Sequence, residues 1–414
     1  MSAIRTFVSH HGGEYEDRVK PILRAVAPRG VRPWLDKIDL GEQVGHPLKE
    51  QLQEAVFRGP CTSMSLFLSK QAATRKWIEQ EVEWALQRLM EQRGDGFRIL
   101  PIFLDPPDEI AVDLPDNSAF RRLLKNKPLW LEPQSDKRFL EKYARSVWAA
   151  GGLTSTAQEV TLCLGHRNPS WTVEVPAQYA HAPTLDLRVS LHGERLYCPA
   201  EGEQGTRGEW QEIEDGLRAI DGYLTSLKRI NICGQAPLGV GTLVGKVWDR
   251  GTSVRLHSDN FFNCVHQTWT TDAQDFLLSD NWSPDSAKLI KMNRPATLRH
   301  DVMVMAFLLE GRAVEYLRHI ERWNSTRPQT LIQPVLLPNH VDDPQQASQL
   351  VRECVGAIRY VKRACQGIRL IEVISGYPLA LAPLIAYHLR TAGPIHFYDE
   401  VRDIHEYRLA AIIE

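Results

Sequence analysis

The sequence has no C-x-x-C pair and no regular spacing of cysteines. Its seven, at positions 61, 163, 198, 233, 264, 354 and 365, are odd in number and scattered. That pattern argues against a disulfide framework or a metal site, and for free thiols in a reducing compartment; a cytoplasmic location is expected, and no metal. No run approaches the ~20 consecutive apolar residues of a membrane span, so no membrane partner is expected. The opening MSAIRTFVSHH turns polar too soon for a signal peptide. Low-complexity tracts are absent too, and 43% hydrophobic with 24% charged residues is the composition of a folded globular protein. Nor is there an excess of positive charge. Residues 1–150 hold 23 Lys+Arg against 21 Asp+Glu (+2) and the remainder 26 against 30 (−4), together the net −2. Long nucleic acid, which binds through counterion release, is therefore not expected as a partner. A small nucleotide stays open, because helix N-termini and a few side chains can hold its phosphates.

What is present is length and alternation. A chain of 414 residues exceeds one ordinary core and predicts two or three domains. Ile4 to Val8 reads as a short strand ending at Ser9-His10-His11-Gly12-Gly13, and Glu14 to Val26 has helical spacing. Gly30 to Leu35 is a second strand, opening into a polar loop from Asp36 to Gly45. Pro47 can start a helix over Leu48 to Val56. Ser63 to Leu68 is nearly continuous apolar chain, as in a strand buried on both faces. Arg98 to Leu104 is a fourth strand, and Phe139 to Trp148 closes the region. Strand and helix in alternation predict an α/β fold, a doubly wound parallel sheet with ligands at the strand carboxyl ends.

Ser69 to Leu89 reads as one amphipathic helix with a core stripe of Ile78, Val82, Ala85 and Leu89. Trp77, Glu81 and Trp84 fall on a neighbouring stripe, which sets a carboxylate beside an indole at the edge of the buried face. Glu79 and Glu83 point elsewhere and read as solvated surface charges.

FVSHHGGEYEDRV, GVRPWLDKIDLGEQVG, SMSLFLSKQAATRKWIEQEVEWAL and ILPIFL, in this order, resemble a TIR domain over about residues 1–150. Some TIR domains are scaffolds and others cleave NAD at the nicotinamide–ribose bond. The resemblance implies a flavodoxin-like sheet and a catalytic carboxylate at Glu81. Nicotinamide leaves as a neutral molecule, so no general acid is needed; the ribose develops oxocarbenium character that one carboxylate can stabilise. Trp34 and Trp77 are candidates to stack on a ring of the substrate, although core packing suits them as well. Asp36 and Lys37 open the loop, and Ser9, His10 and Ser69 stand at strand ends, where ribose or phosphate would lie. NAD enters as substrate, and no cofactor is implied.

Residues 151–158 read as a linker. Beyond it the chain repeats at an offset of 141: Arg229 to Leu243 aligns with Leu370 to Leu384, and Val254 with Ile395. Each copy reads as strand, small-residue turn, helix, strand, preceded by a long helix (Trp210 to Leu227; Gln346 to Cys365). The turns, Gly234-Gln235-Ala236-Pro237 and Ser375-Gly376-Tyr377, let backbone N–H groups approach a phosphate at a helix N-terminus. Neither is a GxGxxG or Walker loop. Two such Rossmann-like lobes behind an effector domain resemble a SAVED domain, similar to two fused CARF-like sensor folds, over about 159–414 (lobes near 159–285 and 286–414). The resemblance implies binding of a cyclic trinucleotide, cyclic tri-adenylate first among them, with Tyr377, Phe261, Phe262 and Trp269 as candidates to stack on bases. The expectation is an anti-phage effector of the CBASS type, in which the ligand drives head-to-tail oligomers or filaments and so switches on NAD cleavage. The alternative is a TIR signalling adaptor without catalysis.

Overall fold

Six residues in a row, Ser63 to Leu68, are buried, and they form β3 (Ser63–Leu68) in the middle of a parallel sheet. The computed structural model describes residues 4–35, 48–91, 96–112, 114–125, 137–165, 175, 177–188, 190–191, 194–195, 206–234, 238–248, 252–258, 267–270, 282–295, 300–327, 330–341, 343–376, 381–390, 392–401 and 406–414. The sheet runs β2 (Arg32–Trp34), β1 (Arg5–Ser9), β3, β4 (Arg98–Phe103), all parallel, with Phe7 opposite Trp34 on one side and Met64 on the other. This order is the doubly wound one expected from the sequence. Polar side chains on the central strands find buried partners there: Thr6 Oγ1 and Ser65 Oγ lie 2.6 Å apart, and Tyr143 donates to Ser65 Oγ at 2.8 Å.

Helices cover both faces. After β1 the chain winds through a 3-10 turn (Gly12–Glu14) and a π-helical turn (Tyr15–Val19) before α1 (Lys20–Val26), instead of one regular helix from Glu14. Next come α2 (Leu48–Phe57), α3 (Lys70–Ala73), α4 (Lys76–Glu91), α5 (Pro107–Val112), α6 (Ala119–Lys125) and α7 (Lys137–Ala150). α2 packs on α4, and α1 on α7.

The single helix expected from Ser69 to Leu89 is two. Ser69 Oγ caps α3 by accepting from Ala72 N at 2.9 Å, and Thr74 turns its hydroxyl onto Gln71 O, ending the first turn before α4 begins. Leu89 is also displaced from the expected core stripe and is exposed. Arg88 goes in instead, donating to the carbonyls of Val56 and Cys61 at 2.8 and 3.0 Å with its guanidinium over the Phe97 ring.

The chain forms two compact units: Met1–Cys163 with Ala177–Glu194 and Gly222–Leu227, and Leu164–Pro176 with Arg195–Asp221 and Lys228–Glu414. Residues 151–158, read above as a linker, are packed chain of the first unit, with Leu153 buried and Ser155 O accepting from Thr225 N at 2.9 Å. β5 (Glu159–Gly165) begins in this unit, and β6 (Thr184–Arg188) lies in it. Thr184 O accepts from Ile4 N, and Asp186 pairs with Arg32 at 2.9 Å. Gly30, at φ 71°, leaves room for Leu185, whose Cβ would stand 2.9 Å from a Cβ at residue 30. Short strands β7 (Ser190–Leu191) and β8 (Glu194–Arg195) follow, then α8 (Thr206–Tyr223).

In the second unit, β9 (Arg229–Gly234) leads to α9 (Leu238–Val247), then β10 (Ser253–Ser258), parallel to β9, and β11 (Gln267–Thr270), antiparallel to β10. A second sheet holds β12 (Lys291–Met292), β14 (Thr330–Leu337), β13 (Val302–Leu309), β15 (Leu370–Ser375), β16 (Ile395–Val401) and β17 (Glu406–Ile413), in that spatial order. Its four inner strands are parallel and its two edges antiparallel. Three helices lie along its chain: α10 (Ala313–Asn324), α11 (Pro344–Ala364) and α12 (Leu381–Leu389). The repeat is real in three dimensions: β9–α9–β10–β11 and β15–α12–β16–β17 have the same order and strand directions. The helices α9 and α12 pack on each other so closely that a Cβ on Gly245 would run into the Pro383 carbonyl oxygen.

Candidate functional site in the first unit

The candidate site sits where β1, β3 and β4 end. Glu81, two turns into α4, is only 5% exposed, and Ser9 at the end of β1 donates its hydroxyl to Glu81 Oε2 at 2.5 Å. Ser69 follows β3, buried, and donates to Glu14 Oε2 at 2.6 Å. Glu14 is itself buried; its other oxygen accepts from Arg18 at 2.9 Å. Arg18 also reaches across to the end of β4, donating to Leu104 O and, at 2.9 Å, to Asp105 Oδ1. Asp105 Oδ2 closes the circuit by accepting from Lys70 N at 2.8 Å.

Burial alone would raise the Asp105 carboxyl, but the Lys70 N–H and the Arg18 guanidinium overcome it and hold Asp105 below the ordinary carboxylate range. Burial alone would lower Arg18, but its hydrogen bonds and charge pairing with Asp105 and Glu14 together outweigh that cost and hold it above its usual value. The site is thus a set of acceptors held by hydroxyl, guanidinium and backbone donors. A carboxylate so placed, away from water, can stabilise positive charge that develops on a bound sugar.

Of the residues singled out in sequence, Ser9 and Glu81 are joined directly, and Ser69 lies one strand over, on Glu14. His10 is beside them on the loop after β1, its ring 4.9 Å from that of Tyr15. Trp34 is 6% exposed and stacked on Phe7 at 5.0 Å, so one indole face is taken by the core. Trp77 is 40% exposed and meets the buried Trp84 edge-on at 6.0 Å. Glu83 is exposed, as expected, beside Arg122; Glu79 instead accepts from Ala119 N at 3.1 Å and caps α6. Asp36 and Lys37 lie outside the described residues. Sequence reading missed Glu14, Arg18 and Asp105. The four-residue spacing of Glu14 and Arg18 is the one signal that pointed to their pairing.

In the second unit, Gly234 ends β9 at φ 98°, where a Cβ would run into the Leu164 carbonyl oxygen. Ser375 ends β15 at the matching position, and Gly376 N donates to Phe307 O at 2.7 Å. Gln235, Ala236, Pro237, Tyr377, Phe261 and Phe262 lie outside the described residues; Trp269 stands in β11 opposite Leu256. Among the described residues no group of three His, Cys, Asp or Glu is placed to hold a metal ion, and no helix is long and apolar enough to cross a membrane.

No curated protein matches the chain. Among solved structures, it is similar to the Acinetobacter baumannii Cap4 SAVED/CARF-domain containing receptor with the cyclic trinucleotide 2′3′3′-cAAA, at 11% identity and a TM-score of 0.46 over 88% of this chain and 84% of that one. The same receptor with 3′3′3′-cAAA gives the same values. The Moraxella osloensis Cap4 SAVED/CARF-domain containing receptor is 12% identical, with a TM-score of 0.42 over 88% of this chain and 83% of that one. A family match covers the site itself: the segment that carries Ser9, Glu14, Ser69, Glu81 and Asp105, residues 6–125, matches the TIR domain family.

Proposed function

We propose that the protein is a ligand-activated NAD glycohydrolase of anti-phage defence. The first unit cleaves NAD to nicotinamide and ADP-ribose products, with Glu81 as the catalytic carboxylate. The second, read as a SAVED domain, senses a cyclic trinucleotide, and binding drives head-to-tail self-association. The observation that carries the first half is Glu81: a buried carboxylate, held by Ser9, at the strand ends of a TIR domain. Nicotinamide leaves from a pyridinium without needing a proton. The charge left on the ribose carbon is what a desolvated carboxylate stabilises best. Support for the second half is the duplicated order of strand and helix, in which β9 and β15 end at matching positions, Gly234 and Ser375. A bridging ligand between unlike faces of neighbouring copies gives an open assembly, because such a contact need not close.

The test is nicotinamide release from NAD by the full chain, alone and with cyclic di-, tri- and tetranucleotides, 2′3′3′-cAAA and 3′3′3′-cAAA included, beside Glu81→Gln. The expected result is activity with one cyclic trinucleotide and a loss of at least about 100-fold in the variant, the scale of removing a transition-state charge partner. Activity without ligand would remove the sensor and keep the enzyme. Silence under every nucleotide, with binding still measurable, would favour the adaptor.

A further inference from the structure

We propose that Glu14 is a positioning residue of the Glu81 site; the proposal rests on the NAD-cleaving reading for its catalytic consequence, but not for its structural one. Glu81 is fixed on one side by Ser9. A further constraint is the path of the chain from Ser69 through α3 into α4, with a break at Thr74 and Arg75 before Glu81 is reached. That path is set at its origin. Ser69 Oγ must accept from Ala72 N to start α3, and it keeps its hydroxyl hydrogen for a second bond. Glu14 takes that hydrogen at 2.6 Å. The neighbouring peptide, Lys70 N, is held by Asp105, and Asp105 is held by Arg18, which is paired to Glu14.

Glu14 therefore binds both arms of this ring. It ties the loop after β1 to the start of α3 directly, and to the end of β4 through Arg18. The π-helical turn Tyr15–Val19, for which Glu14 is the residue before the first, presents Arg18 toward Glu14 and β4 together. A carboxylate suits position 14 because both of its oxygens face donors. Gln keeps a carbonyl oxygen for the Arg18 guanidinium but sets an amide N–H against Ser69 Oγ, whose hydrogen must then turn away, so the Ser69 arm loses its charge-assisted bond and loosens. A reacting carboxylate tolerates displacements of roughly 0.5 Å before rate is lost, which is the scale on which a loosened arm would act.

The test uses the full chain and four proteins: wild type, Glu14→Gln, Ser69→Ala and the double variant. Amide hydrogen exchange is read first, in peptides covering 66–81. The expected result is exchange at least about tenfold faster at residues 70–73 in Glu14→Gln, with β4 unchanged. Nicotinamide release with the activating cyclic trinucleotide is read second. Glu14→Gln and Ser69→Ala should each lower kcat about tenfold with KM within about twofold, and the double variant should lose no more than either, because both cut the same arm. A merely structural role would give additive losses and move KM or the melting temperature in step with kcat. Unchanged exchange at 70–73, or an additive double variant, overturns the proposal. A wild type that releases no nicotinamide overturns the NAD reading, and the exchange result still decides whether Glu14 holds the clamp.

Discussion

Glu372 stands in the middle of β15, 1% exposed, with both oxygens taken by Arg327 at 2.6 Å each and Tyr398 donating to one of them at 3.1 Å. Arg327 lies over the Trp323 ring, and its side chain keeps 29% exposure. Glu372→Gln keeps the shape, removes the charge and turns an N–H toward the guanidinium. Breaking one partner of a buried pair costs ~3–5 kcal/mol. Arg327 retains some water and an aromatic face, so the low end, about 3 kcal/mol, is expected here. At ~2–4 °C per kcal/mol for a unit of this size, the melting transition of the second unit should fall by about 6–12 °C. Calorimetry of the full chain reads this directly. The control is Glu372→Met with Arg327→Met, which removes both charges and should recover most of the loss, since an apolar pair of similar volume leaves no charge unpaired and deprives the half-buried Tyr398 hydroxyl only of one bond. A single variant that loses less than about 1 kcal/mol, or a double variant no better than the single, would refute the assignment of the loss to an orphaned charge.

Two further outcomes concern Tyr398 and Gly245, both in the second unit. Burial, and then the Glu372 carboxylate, push the Tyr398 hydroxyl up to about 12. The folded chain then holds this proton more tightly than the unfolded one, so the contribution is whole below about pH 10 and is lost as pH rises toward about 12; urea unfolding across that window should be steeper with pH in wild type than in Tyr398→Phe. Gly245→Ala puts a methyl against the Pro383 carbonyl and should cost ~1–3 kcal/mol in a thermal melt. Gly222→Ala, where a Cβ meets nothing within 4 Å, should be neutral or stabilising, and the reverse ranking would refute the packing argument.

The first parallel sheet was legible because an apolar run such as Ser63–Leu68 leaves no alternative to burial on both faces. The repeat was legible because β9 and β15 begin and end at the same offset. What periodicity could not show was side-chain choice settled at long range. Arg88 displaces Leu89 from the core because two carbonyls, 27 and 32 residues back, need a donor. Glu14 is buried because Ser69, 55 residues on, has a hydroxyl to give. Trp34 faces Phe7 through a strand register that no local pattern encodes. Glu81 was found through its family motif; its serine partner, 72 residues away, was named only as a residue at a strand end.

The crossing of α9 and α12 has a mechanical consequence. Where Gly245 brings one helix onto the backbone of the other, no layer of side chains lies between them to yield. A displacement of α9 at this crossing therefore pushes on the backbone of α12 itself, and not on side chains that could turn aside.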